Sequence, residues 1–233
     1  MIVFNLQLFG SRGASSKKLS PVVPLSDTSQ FSKNVVGFQA HDNLRQALGY
    51  RGEPKSIGDA MLNSNPYYSG DYREFSHNCQ RVVVAYEARR RGYDVTAQPT
   101  YKGDKLNQIA YEDKKRGISR GRWTGAFKDA QYVNVSAKTE KGVMDNIENQ
   151  MKSYGEGSRG VVQIFYKGGG GHVFNVEQKN GKTQYIEAQT GHVKDFANTL
   201  RNVRKGEVAL VRTDNLQFSD RAKNFVTQNY NKS

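Results

Sequence analysis

The sequence predicts an α+β fold, and three observations carry that reading. Helical periodicity surrounds the chain's only cysteine, Cys79, in the first half. Strand-like runs separated by glycine-rich turns fill the second half, from Gly160 onward. No strand–helix–strand alternation joins the two halves, so an antiparallel sheet with segregated helices is expected. The 233 residues suit one domain with extensions or two small ones.

Taken in order, residues 1–35 lack apolar periodicity and carry a Ser-Arg-Gly-Ala-Ser-Ser-Lys-Lys run, so no packed core is expected there. Residues 40–64 offer one or two short helices, with Leu44, Ala47 and Leu48 at helical spacing. Asn65-Pro66-Tyr-Tyr-Ser-Gly70 reads as a turn. A helix follows over 79–91, with Val82, Val83, Tyr86 and Arg90 along one stripe. Arg89, Arg90 and Arg91 suit its negative end, and Gly92 suits the left-handed stop. Residues 93–97 form a short strand, and 100–130 are irregular with a short helix. A strand at 132–135 precedes a helix over 141–154, where Met144, Ile147 and Met151 share a face. Strands are expected at 160–166, 172–178, 183–189 and 206–212, and a polar helix at 219–229. Asn180-Gly181 marks a two-residue hairpin. The expected organisation is a basic, partly disordered extension at 1–60, a compact domain at 61–213 and a polar helix or tail at 214–233.

Composition narrows the function. One cysteine excludes an intramolecular disulfide and any multi-cysteine zinc site. The four histidines include no i, i+4 pair, so neither a metal nor a cofactor is expected. No apolar run approaches the roughly 20 residues that cross a bilayer, and the apolar start at 1–10 lacks a secretion signal's cationic flank. The net charge of +13 favours contact with nucleic acid, acidic lipid or acidic proteins.

The chemistry-bearing residues are Cys79 and His172. Cys79 follows a polar approach, Tyr72-Arg-Glu-Phe-Ser-His-Asn78, and stands where its helix begins. A helix N-terminus presents free N–H groups and positive dipole, which favour thiolate. A lone cysteine is more often a small buried hydrophobe; the helix start and polar flanks turn the reading toward a nucleophile. With a two-residue turn at Asn180-Gly181, opposed positions sum to 361 (179 with 182), so His172, Phe174, Glu187 and Gln189 share one sheet face. Glu187 is then the diagonal neighbour of His172, ~7–8 Å away between backbones, which long side chains bridge. Thiolate, base and orienting carboxylate are the set a cysteine nucleophile requires. Gln189 competes for the third role or serves as a substrate-binding amide, while Glu187 alone also reads as a solvated strand residue. His77 lies within reach of a substrate near Cys79, although a loop histidine usually has no role. The glycines at 168–171 lack the Lys-Ser/Thr of a phosphate loop and read as an open rim beside His172.

Two blocks carry a resemblance. Asn78-Cys79-Gln-Arg-Val-Val-Val-Ala-Tyr-Glu-Ala-Arg-Arg-Arg-Gly-Tyr-Asp-Val-Thr-Ala97 resembles the nucleophile block of papain-fold toxin domains, small cysteine enzymes of polymorphic toxins and bacterial effectors. Gly171-His172-Val-Phe-Asn-Val, Asn180-Gly-Lys and Ile186-Glu-Ala-Gln-Thr-Gly191 resemble their histidine hairpin. The resemblance spans about residues 63–212. It implies a papain-like cysteine enzyme fold, a nucleophile helix packed on a small antiparallel sheet, and glutamine deamidation of a host protein without a cofactor. By position, Cys79 is the nucleophile, His172 the base and Glu187 the orienting acid. The Cys79 backbone N–H and Asn78 would hold the oxyanion, and Gln189 and His77 would meet substrate. The family usually has Asp where this chain has Glu187. Phe4-Asn-Leu-Gln-Leu-Phe-Gly-Ser-Arg-Gly-Ala-Ser-Ser16 resembles the leader of phage minor head proteins. It implies phage origin, action in the host bacterial cytoplasm, packaging in the virion and basic-surface contact with DNA or the phage head. The rival readings are a protease of the same fold and a non-catalytic virion protein.

Overall fold

A computed structural model describes residues 45–69, 71–107, 111–113, 118–193 and 195–229, all within the compact unit 38–233. The leader-like segment, His41 and most of the expected N-terminal extension lie outside the described residues. The elements follow in order. Residues 45–48 are helical, and α1 spans Ile57–Asn63 and α2 Arg73–Ser76. Next come α3 at Cys79–Arg90, β1 at Val95–Ala97, β2 at Tyr111–Asp113 and β3 at Ile118–Arg120. Then follow β4 at Val133–Asn134, α4 at Glu140–Tyr154, β5 at Arg159–Phe165, β6 at Gly171–Lys179, β7 at Lys182–Glu187 and β8 at His192–Val193. Last are α5 at Phe196–Leu200, β9 at Ala209–Arg212 and β10 at Val226–Gln228.

A six-stranded antiparallel sheet, in the order β4-β9-β5-β6-β7-β8, divides the core. Its inner strands carry apolar side chains on both faces because both faces are covered. Val161, Phe165, Val173, Ile186 and Val211 pack with α3, Trp123 and Phe127. Val162, Ile164, Phe174, Val176 and Leu210 pack with Val143, Ile147 and Met151 of α4 and with Phe196 and Leu200 of α5. Thr139 caps α4, its side chain accepting from the Gly142 N–H, and α4 presents the amphipathic face its sequence predicts.

α3 differs from expectation. Every residue from Cys79 to Arg89 is buried, so the helix is not amphipathic. It lies between α1, β1, β6 and the 3₁₀ turn Arg122–Ala126, and each side of it meets protein. Its buried charged side chains are therefore paired, although Arg89 Nε itself bonds nothing among the described residues. Glu87, fully buried, bonds Arg91 at 2.6 Å and Arg159 of β5 at 2.9 Å. Arg90 and the Tyr86 hydroxyl both reach Glu177 of β6, at 2.6 and 2.7 Å. Arg89 pairs with Asp59 of α1 and with Asp94. The three arginines thus knit the fold together. Gly92 takes φ +99 as expected, and a Cβ there would come within 2.1 Å of the Gly52 carbonyl oxygen.

Two boundaries move. Leu48 and Ala60 sit in the core, so packing begins before residue 61. The expected polar helix at 219–229 is instead a 3₁₀ turn, Asp220–Asn224, followed by β10, which pairs with β1. Phe218, Ala222, Phe225 and Val226 are buried, which anchors this segment in the core. Strand β7 also stops at Glu187, two residues short of expectation. No helix of the described residues is long and apolar enough to cross a membrane.

Candidate active site

The hairpin forms in the register that the Asn180-Gly181 turn dictates. Lys179 pairs with Lys182 and Asn175 with Ile186. Asn180 and Gly181 take φ +52 and +72, the paired left-handed geometry of a type I′ turn. This register brings the ends of β6 and β7 side by side, where His172 Nε2 lies 2.7 Å from Glu187 Oε2. The longer Glu side chain therefore reaches the ring in full contact. The Cys79 thiol, at the first residue of α3, lies close enough to the same imidazole to act on its charge. With Nε2 engaged by the carboxylate, Nδ1 is the ring nitrogen left to meet the sulfur.

Burial acts to lower the pKa of His172. The Glu187 charge, the hydrogen bonds from Cys79 and Glu187 and the nearby sulfur outweigh it, and the imidazole is raised to about 9. The ring is thus cationic at neutral pH, poised between a carboxylate and a sulfur. Cys79, His172 and Glu187 retain 9, 9 and 7% exposure, so the cluster is buried at the edge of the core.

The amides near Cys79 are arranged otherwise than expected. Asn78 occupies the N-cap position without capping through its side chain. Its Nδ2 donates to Asn65 Oδ1 at 2.9 Å and to the Gln98 carbonyl at 3.2 Å, and its Oδ1 accepts from Gln189 Nε2 at 3.3 Å. Asn65 Nδ2 in turn donates to the carbonyls of Phe75 and Gln189, both at 2.9 Å. Both Asn78 donors are spent, so its side chain is no oxyanion donor. Gln189 lies beyond the end of β7 in this buried amide cluster, not opposite His172, and does not take the third position beside the ring. Asn65, Asn78 and Gln189 fasten the approach to α3 onto the turn that follows Glu187. His77 is exposed and its Nδ1 meets Arg73 O and Ser76 Oγ, so its ring is held by its own turn. His192 pairs with Glu187 through the backbone of β8 and is exposed.

Gly171, the last of the four glycines, opens β6. A Cβ there would lie 2.7 Å from the Ile164 carbonyl oxygen, so only glycine lets β6 approach β5 this closely beside His172. Among the described residues no three His, Cys, Asp or Glu side chains converge in a metal-binding group.

Two neighbours escaped the sequence reading. Asn65 looked like part of a turn, and only the fold brings it to Gln189, 124 positions away. Tyr166, just past β5, lies close enough to Glu187 and Cys79 for both charges to act on its hydroxyl. The β5–β6 register would have found it, since Ile164 pairs with His172.

No curated protein and no solved structure matches this chain. Residues 77–192 match the family model described as papain fold toxin 1, glutamine deamidase. That span runs from just before Cys79, through α3 and strands β4 to β7 of the sheet, to the start of the strand beside Glu187, and the chain belongs through it to the papain-fold glutamine deamidase toxin family.

Proposed function

We propose that the chain is a cysteine hydrolase that deamidates glutamine side chains in a protein of a bacterial host, with Cys79, His172 and Glu187 as its catalytic groups. The observation that carries this reading is one imidazole that lies beside the only cysteine and is bonded at 2.7 Å to a carboxylate. The sulfur attacks the glutamine carboxamide carbon and the carbonyl π electrons move to oxygen. The Cys79 N–H, at the first position of α3 where no intrahelical acceptor exists, stabilises that oxyanion. His172 delivers its proton to the nitrogen, the C–N bond breaks and ammonia leaves. Water then loses a proton to His172 and attacks the thioester. The C–S bond breaks, releasing glutamate and restoring thiolate and imidazolium. Glu187 keeps the ring in one orientation and balances its charge throughout.

The family supports a protein substrate and amide chemistry. The net charge of +13 supports an acidic partner surface. Incubating a bacterial lysate with the protein or with Cys79→Ala, followed by peptide mass spectrometry, tests the assignment. Glutamine-to-glutamate conversion at particular sites, absent with the variant, is the expected result. New peptide termini would make the enzyme a protease, and no change in either measure would overturn the hydrolase reading.

A further inference from the structure

Tyr166 stands immediately after β5 and has no part in the scheme above. Phe165 pairs with Gly171 and Ile164 with His172. By strand alternation Tyr166 and His172 leave the sheet on the same side, one diagonal apart. The backbone around Tyr166 is held on both flanks. Its N–H donates to Gly170 O at 3.0 Å and its carbonyl accepts from the Gly169 N–H at 3.1 Å. On the other flank Arg204 N–H reaches Phe165 O, Lys167 N–H reaches Asn202 O, and Tyr166 bridges to Val203. The half-buried ring rests on the core beneath α4 and α5.

Burial first, then the charges of Glu187 and Cys79, push the phenol up to about 12, so it keeps its proton and stays a donor. No side-chain hydrogen bond engages this hydroxyl among the described residues. A hydroxyl on the side of the sheet that carries His172, with no side-chain bond among the described residues, is matched to a group that arrives with the reaction. The oxyanion belongs at the helix N-terminus. The departing ammonia and the incoming water belong beside His172, which gives one its proton and takes the other's, and Tyr166 shares that side of the sheet.

We propose that Tyr166 is a fourth catalytic residue whose hydroxyl hydrogen-bonds the departing ammonia and then the attacking water, holding each beside His172. Tyr166 keeps its own proton; the transferred protons pass only to and from His172. The proposal rests on the hydrolase reading of Cys79 and His172.

p-Nitrophenyl acetate tests it on the full chain. Acyl transfer to Cys79 releases p-nitrophenolate, which leaves without protonation, and water must then cleave the acetyl thioester. Tyr166→Phe is expected to keep the p-nitrophenolate burst while slowing steady-state turnover about 10- to 100-fold, the range for a hydrogen bond to a group carrying charge. Acetyl-enzyme then accumulates in the intact mass spectrum. The thermal midpoint and the His172 titration midpoint are expected to stay at the wild-type values, which a packing role would not allow. Turnover within roughly twofold of wild type would overturn the proposal. So would a lowered thermal midpoint or a shifted His172 midpoint accompanying the slower turnover. A burst that disappears in Cys79→Ala while Tyr166→Phe behaves as wild type leaves the hydrolase reading standing and removes Tyr166 alone. A burst that survives Cys79→Ala removes both.

Discussion

Glu187→Gln isolates what the carboxylate does, because it removes charge while leaving an atom that can still bond the ring. In the wild type the imidazole rises from its ordinary 6.5 to about 9, and among the causes that raise it the Glu187 charge is the largest. That difference corresponds to about 3 kcal/mol of preference for the charged ring. In the variant the burial that opposes charge remains, and the midpoint is expected to fall to 6.5 or below. Proton NMR of the imidazole C–H signals against pH measures this directly. The chain has only four histidines, and a His172→Gln spectrum identifies the signal. A folded-state value raised above the unfolded one gives stability that is fully present below about 6.5 and lost as pH rises through about 9. The variant's deficit in urea unfolding is therefore expected to be larger at pH 6 than at pH 10. The turnover rate is expected to fall on the order of 10³- to 10⁴-fold, as when a hydrolytic triad loses its orienting carboxylate. A wild-type His172 titrating near 6.5, or a variant still titrating near 9, would refute the ion-pair argument.

Three further outcomes follow from the packing. Cys79→Ala is expected to remove the p-nitrophenolate burst while moving the thermal midpoint only a few degrees, since one small buried group is trimmed; circular dichroism and stopped-flow absorbance check both halves. Glu87→Gln leaves Arg91 and Arg159 without their buried counter-charge and is expected to cost about 3–5 kcal/mol in urea unfolding. An unchanged urea midpoint would show that the pairs contribute nothing. Asn65→Ala strips Asn78 Nδ2 of an acceptor and the Gln189 and Phe75 carbonyls of their shared donor, and is expected to cost about 1–3 kcal/mol. It should also lower the turnover rate, because the cluster joins the approach to Cys79 with the turn after Glu187; stability lost with full turnover would separate the cluster from the site.

The parts of the site legible in the sequence were those governed by local rules. Asn180-Gly181 accepts positive φ at both positions, and that single turn sets the register that carries Glu187 to His172. The helix start at Cys79 was marked by its polar approach and the apolar residues that follow. What escaped was decided by contacts distant in sequence. The stripe along α3 has no meaning for a helix buried on every side, and the ion pairs of its arginines with Asp59, Asp94, Glu177 and Glu87 are set by packing that the local pattern does not show. Residues 219–229 look polar, yet Phe225 and Val226 anchor a strand against β1 that no local pattern announces. Gln189 was placed opposite His172 by extending an ideal ladder two residues beyond the point where Gly191 N–H turns back to Glu187 O. The leader-like segment lies outside the described residues.

The ion pairs at the C-terminal end of α3 bear on the reaction although they lie a helix length from it. α3 has 12 residues and is therefore about 18 Å long, with Cys79 at one end and Arg90, fastened to Glu177 of β6, at the other. His172 stands near the start of that same strand. Pivoting the helix by about 3° around its anchored end moves the sulfur by about 1 Å, a displacement that costs a reaction on the order of 10²-fold in rate. Aim at the imidazole is thus set from the opposite end of the helix, where a guanidinium and a carboxylate act as the fixed point of a long pointer.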